Sequence, residues 1–398
     1  MRALDRIRNK YKRDTGKKPY FDFTLLVVVI MLVCFGFIMI YSASAYQANL
    51  KFGNSMYFLN KQVMAAVMGF VIMLILVFIP PKVYKLIPSW VYIAASFVIM
   101  ALLLVPGIHI SSHGATRWIK LGPLPQFEPV ELVKLLVIIF YARTITRKQK
   151  EMDTWPGILM PLIPVVLLCL FIYVASRNLS SALIVFMIPV LMISIIAKDK
   201  KKILLIWGGV ALLAGLVVGG IVLLDHFSQG GASSISFRFG RILAWLHPEK
   251  YVSDEGFQVL QGLYAIGSGG LFGKGLGESI VKIGDISEAQ NDMIFSIVCE
   301  ELGIFGAICL MLMFGILVYR LFIIAGNTRD LFNAMLIIGI LCHISVQVLL
   351  NIAVVTNSVP NTGVSLPFIS AGGTSVLLFL AEIGIALAVG RTILIDRR

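Results

Sequence analysis

The chain has 398 residues, is 58% hydrophobic and only 14% charged, and carries a formal net charge of +13 with a mean hydropathy of +0.91. A soluble fold of this size hides apolar surface in a core, but it cannot hide apolar runs of about 20 residues repeated from one end to the other. The basic excess is therefore not read as nucleic-acid binding; its distribution along a membrane protein is what informs.

A basic tail, residues 1–20, comes first. Apolar runs then predict spans at about 21–42, 62–80, 89–107, 130–143, 157–175, 181–197, 203–225, 293–319, 331–355 and 367–390. The first run is too long for a signal-peptide core and lacks a small-residue cleavage signal, so it is expected to stay as an anchor. Irregular backbone cannot face lipid, so the fold class is an all-α polytopic membrane protein with about ten transmembrane helices. Residues 21–395 read as one transmembrane domain and 396–398 as a cytoplasmic end. Alternating the spans puts 23 Lys and Arg on one side and ten on the other, with Lys134 inside a span. Both termini are then cytoplasmic. The five cysteines all lie in apolar stretches with no CxxC and no neighbouring His, so neither a disulfide scaffold nor a metal site is indicated.

The outer side rests on segments 108–129 and 226–292, the second lying between spans seven and eight. It contains FRFGRILAWLHPEK, an amphipathic helix with Phe237, Ile242, Trp245 and Leu246 set against Arg238, Arg241 and Lys250. GSGGLFGKGLG follows at 267–277, and reads equally as a substrate-proximal loop or a close-packed turn.

Ionisable groups at membrane depth cost roughly 2.5–3.5 kcal/mol on insertion scales, so those present need a reason. Glu131 and Lys134 are spaced i,i+3 behind a helix-starting Pro129, either as a self-neutralising pair or as part of a site. Arg117 and Trp118 are adjacent near the interface, where such pairs are common. Asp292 opens the eighth span, where a helix dipole favours a carboxylate. Glu300 lies about 80° round and about 12 Å deeper, and Glu301 on the opposite face, so one helix does not aim all three acids at one point. Glu300 and Glu301 are expected to pair inside the bundle. NSVPNTGVSLPFISAGGTS, residues 357–375, breaks the last apolar region as cavity-lining segments do. His343 and Gln347, one turn apart, are expected to hydrogen-bond within the bundle. These residues leave a transporter, a channel and an enzyme acting on a lipid headgroup all open.

The blocks GATRWIKLG, EPVELVK, GFQVLQGLYAIGSGGLFGKGLG, EAQNDMIFSIVCEELGIFG and TGVSLPFISAGGTS occur in this order over nearly the whole chain. Together they resemble the SEDS family (shape, elongation, division and sporulation), and the division and sporulation branch more than the rod-elongation one. The resemblance implies a peptidoglycan glycosyltransferase that polymerises lipid II on the outer face of the bacterial cytoplasmic membrane, at the septum. It places the essential acid, as general base, on Asp292. It places substrate-binding residues on Arg117, Trp118, Glu131, Lys134 and Arg241, with Gln261, Lys274, Glu288 and Ser370 from the same blocks. It implies a class B penicillin-binding protein as transpeptidase partner, other cell-division proteins, and, as a cofactor, at most a divalent cation (Mg or Mn) near the pyrophosphate. Two departures stand out: SRNLSSAL lacks the family's Pro and Asp after span five, and Ala371 replaces a usual Tyr. A lipid II flippase and a non-catalytic division scaffold are the rival readings.

Overall fold

The computed structural model describes residues 18–112, 115–119, 126–227, 237–250, 255–281 and 290–395. Helix α1 (Phe23–Phe52) starts at Asp22, whose Oδ1 accepts from the Leu25 N–H at 2.9 Å. Such a cap satisfies one of the orphan donors of the first turn. The same carboxylate takes Arg320 Nη2 at 2.7 Å and so ties the start of α1 to the far end of α11 (Ile294–Asn327). Next in the chain come α2 (Tyr57–Phe78), the short α3 (Lys82–Leu86) and α4 (Ser89–Ala101). A hairpin of β2 (His109–Ser112) and β3 (Ala115–Ile119) leads into α5 (Pro129–Arg147). Then follow α6 (Trp155–Ser176), α7 (Leu179–Ile196), α8 (Lys200–Phe227), α9 (Phe237–Leu246) and α10 (Glu255–Ser268). After α11 come α12 (Leu331–Val355) and α13 (Gly373–Gly390).

Seven of these helices, α1, α2, α6, α7, α11, α12 and α13, are long and apolar enough to cross a membrane. The other three predicted spans correspond to α4, α5 and α8. Helix α4 is short and is extended by a 3₁₀ turn over Leu102–Leu104, and α5 carries Glu131, Lys134, Arg143 and Arg147. A two-residue strand β1 (Lys18–Pro19) pairs antiparallel with β4 (Leu394–Ile395), so the two ends of the described chain meet at one end of the bundle. An even number of crossings places both ends on the same side, in agreement with this pairing. Around the same end lie the ion pairs Lys85–Asp330 and Arg320–Asp22. Helix α13 is buried along almost its whole length and packs most extensively on α2, which makes it the centre of the bundle.

The predicted outer segment 226–292 differs from a simple external loop. Helix α10 packs along α11, and the glycine-rich stretch after it lies against residues 299–305 of that helix. There α11 is broken at Gly303 (φ 68°, ψ −168°), a backbone state essentially restricted to glycine. The loop repairs the break. Lys274 and Gly275 N–H donate to the carbonyls of Glu300 and Glu301 (2.9 and 3.0 Å), while Ile304 and Phe305 N–H donate to Gly270 and Leu271 (3.0 and 3.1 Å). A Cβ at Gly273 would stand 2.2 Å from the Glu301 carbonyl oxygen, so only glycine lets the two backbones approach. Of the two readings of this stretch, the close-packed turn is the one the fold realises.

Candidate active site

Asp292 sits in the turn just ahead of α11, at the end of the bundle opposite the Arg320–Asp22 pair. Its backbone carbonyl accepts from Asn351 Nδ2 (2.8 Å), and the same amide donates to the Val364 carbonyl (2.7 Å), which fastens the acid to both α12 and the broken segment. Its Oδ1 accepts from Gln258 Nε2 of α10 (3.3 Å), whose own Oε1 accepts from Asn361 (3.3 Å). Gly363 completes the turn with φ +63°, held by its N–H to Asn361 Oδ1 (3.0 Å). The space where a Cβ on Gly363 would stand is 3.7 Å from Asp292 Oδ2 and 3.9 Å from Arg117 Nη1. Sequence neighbours 175 positions apart are thus brought to one point by β3 and the α11 turn.

That point belongs to a polar cavity of about 150 Å³, also lined by Trp118, Glu128, Glu131, Lys134 and Gln347. Glu131 and Lys134 project from the first turns of α5 and are both nearly fully buried. Lys134 Nζ donates to Glu131 Oε1 (2.7 Å) and to Gln347 Oε1 (3.1 Å). The pair therefore neutralises itself and still faces the cavity, so both readings of that motif hold together. Glu131 Oε2 and Arg117 Nε are buried without a hydrogen-bond partner among the described residues, as are Asn351 Oδ1 and Thr362 Oγ1 beside them. An unpaired buried polar atom costs on the order of 1–3 kcal/mol and is concentrated where a ligand or water completes it.

Glu128 stands one residue ahead of α5, with its N–H on Thr374 Oγ1 (3.2 Å). Burial pushes its carboxyl up to about 7; the Glu131 carboxylate adds to the rise, and Lys134 and Arg117 pull it back. Spacing in EPVELVK does not single this carboxyl out, although it lies in the same block and faces the cavity.

Of the sequence-derived set, Asp292, Arg117, Trp118, Glu131 and Lys134 come together. Glu288 lies outside the described residues. The others lie elsewhere in the structure. Lys274 Nζ donates to Glu300 Oε1 (2.7 Å), and Glu300 also accepts from Ser279 Oγ and from the Ile280 N–H (3.2 Å), so this lysine clamps the glycine-rich loop and does not line the cavity. Ser370 is buried, its Oγ accepting from the Leu366 N–H (2.7 Å) and its carbonyl from Gln62 (3.1 Å). Arg241 is half-buried on α9 and is not among the residues that line the cavity; that helix is pinned by Trp245 Nε1 to the Asn357 carbonyl (2.9 Å). Gln261 is half-buried on α10, and the contact with Asp292 comes from Gln258, one turn earlier. Glu301 accepts from Ser42 Oγ (2.6 Å), so both deep acids pair inside the bundle as expected. Among the described residues no three His, Cys, Asp or Glu side chains come together to hold a metal.

Residues 23–393 match the model of the FtsW/RodA/SpoVE family, described as cell cycle proteins. The chain is 33% identical to the stage V sporulation protein E of Bacillus subtilis, over 95% of this chain and 99% of the relative. It is equally 33% identical to a probable peptidoglycan glycosyltransferase FtsW of Trichlorobacter lovleyi, covering 93% and 94% of the two. The fold is similar to the rod shape determining protein RodA of Thermus thermophilus, with a TM-score of 0.63 and 25% identity over 94% of this chain and 97% of that one. A chain of a peptidoglycan synthase complex gives a TM-score of 0.72 at 24% identity, covering 94% and 98%. With a family match over residues 23–393 and relatives aligned over 94–99% of their length, the chain belongs to the FtsW/RodA/SpoVE (SEDS) family.

Proposed function

We propose that this protein is a peptidoglycan glycosyltransferase that polymerises lipid II into β-1,4-linked strands at the outer face of the cytoplasmic membrane. The observation that carries the reading is the convergence of Asp292 and Arg117 on one point of a polar cavity where Glu131 Oε2 and Arg117 Nε have no partner among the described residues. The names of the 33%-identical FtsW relatives support the same chemistry.

In this reading the 4-hydroxyl of an acceptor GlcNAc attacks C1 of a lipid-linked MurNAc. Asp292 takes the hydroxyl proton, and undecaprenyl pyrophosphate leaves. Direct displacement inverts the α-linked donor to a β-linked product. Pyrophosphate is already a good leaving group, so one carboxylate base is enough, unlike glycoside hydrolysis with its paired acids. Arg117 and Lys134 meet the charge growing on the pyrophosphate in a site screened from bulk water.

A class B penicillin-binding protein as crosslinking partner, other cell-division proteins and a place at the septum or forming spore belong to the same proposal. The sporulation and FtsW relatives support it, as does the similarity in fold to a chain from a peptidoglycan synthase complex.

The test is polymerisation of labelled lipid II by the purified protein with its transpeptidase partner, comparing wild type with Asp292→Asn. A general base is worth roughly 10²–10⁴-fold, so the folded, partner-bound variant is expected to lose strand synthesis by about that factor. Equal synthesis by both removes Asp292 as the base. No strands from wild type, with intact lipid and an active partner, moves the reading to lipid II translocation.

A further inference from the structure

Below the cavity the polar groups do not stop at Lys134. Gln347 Oε1, which accepts from Lys134 Nζ, also lies 3.1 Å from His343 Nε2, and His343 Nδ1 lies 2.8 and 3.1 Å from the two oxygens of Glu382. A continuous chain thus runs Glu131–Lys134–Gln347–His343–Glu382 across α5, α12 and α13, and each member is at most 4% exposed. The His343 ring is also stacked on Phe379, at 5.0 Å between centroids. Neither His343 nor Glu382 lines the cavity, and no step of the proposed reaction uses them.

The partners settle which atoms carry protons. Lys134 is a donor only, so it faces the amide oxygen of Gln347. The Ser365 carbonyl is an acceptor only, and it lies 3.2 Å from Gln347 Nε2, which confirms that orientation. His343 Nε2 therefore meets an oxygen and must bear a hydrogen. Its Nδ1 meets a carboxylate, so the ring and Glu382 share one further proton and form a net-neutral pair. Glu382 holds the ring so that an N–H always points at Gln347.

A buried pair of this kind is poor evidence of added stability, because desolvation offsets most of its attraction; apolar residues of similar volume often serve as well or better. Its value has to lie in what it orients. We propose that His343 and Glu382 are positioning residues that lock the Gln347 amide oxygen onto Lys134, and so hold the Lys134 ammonium at the cavity floor where the pyrophosphate charge develops. The proposal rests on the glycosyltransferase reading for its activity arm only.

The decisive variant is His343→Leu/Glu382→Leu, which removes both charges together. Its expected signature is a melting temperature at or above wild type, a lipid II KM within about twofold, and a kcat lower by roughly tenfold, the value of one hydrogen bond to a charged group. In a Gln347→Leu background the same pair of changes is expected to add no further loss, because the effect travels through that amide. Unchanged kcat in the double-leucine variant, or full additivity with Gln347→Leu, overturns the proposal.

A second measurement needs no activity and no surviving variant. The ¹⁵N-histidine-labelled full-length protein in lipid nanodiscs is expected to show His343 with a protonated Nε2, assigned by its disappearance in His343→Asn or, where that variant does not fold, by its through-space contact with Phe379. An unprotonated Nε2 overturns the proposal outright. A protonated Nε2 in a wild type that makes no strands upholds the orientation and strikes the glycosyltransferase reading instead.

Discussion

Two clusters of acids, lysine and glycine flank the N-terminal half of α11, and they behave in opposite ways. Around Glu300 every carboxylate oxygen is taken: Lys274, Ser279 and the Ile280 N–H close the site, and the glycines bring backbone against backbone. Around Asp292 the same ingredients leave Glu131 Oε2 and Arg117 Nε buried and without a partner among the described residues, and the glycine at 363 keeps a gap open between acid and guanidinium. Residue types do not separate a buttress from a site. Saturation of the hydrogen bonds does, because a closed network spends its polar groups on itself and an open one keeps them for a ligand.

The largest test of that contrast pairs two lysines. Lys134→Met strands Glu131 in the bundle, at a cost of about 3–5 kcal/mol, and is expected to lower polymerisation per folded molecule at least 100-fold. Lys274→Met leaves Glu300 two other donors, costs about 1–3 kcal/mol, and is expected to leave the rate per folded molecule within about threefold. Melting curves and lipid II turnover on the same preparations separate the two; equal losses of turnover break the comparison.

Next comes Gly363→Ala. It forces a side chain into a left-handed backbone, at about 1–2 kcal/mol, and places a methyl in van der Waals contact with both Asp292 and Arg117. Where relief of that backbone strain moves the turn beside Asp292, turnover is expected to fall roughly 10- to 100-fold, since a misplacement of about 1 Å in a catalytic group carries a penalty of that order. A smaller step divides the two glutamines of α10. Gln258→Leu frees Asp292 Oδ1 from one donor and is expected to lower kcat several-fold, about 1 kcal/mol, whereas Gln261→Leu stays within twofold.

The smallest concerns Glu128. A carboxyl raised in the folded state favours the protonated fold, so its contribution is complete below its ordinary value of 4.5 and is lost as pH rises through about 7. Glu128→Gln is expected to shrink the fall in melting temperature between pH 5 and pH 8 by roughly 2–4 °C. An unchanged fall shows that this carboxyl titrates at its ordinary value.

Much of the architecture was legible in the chain alone. Ten apolar runs, the Lys and Arg asymmetry and the breaks at 357–375 depend on local composition, and lipid enforces composition segment by segment. The predicted limits of the ninth span, 331–355, coincide with α12, and the meeting of β1 with β4 agrees with an even count of crossings. Asp292, Arg117, Trp118, Glu131 and Lys134, which line one cavity, each sit in a distinctive block of the sequence. Choosing Gln258 over Gln261, or recognising Lys274 as a clamp, was not possible from spacing, because both alternatives lie in equally distinctive text. Which glutamine reaches an acid, which glycine keeps a gap and which carboxylate is left unpaired depend on helices far apart in the chain. Composition determined that the chain spans a membrane and carries polar groups there; only the packing of α5, α10, α11, α12 and α13 decided which of those groups are satisfied by the protein and which are left for a substrate, because hydrogen bonds are settled by distance in space and not by distance along the chain.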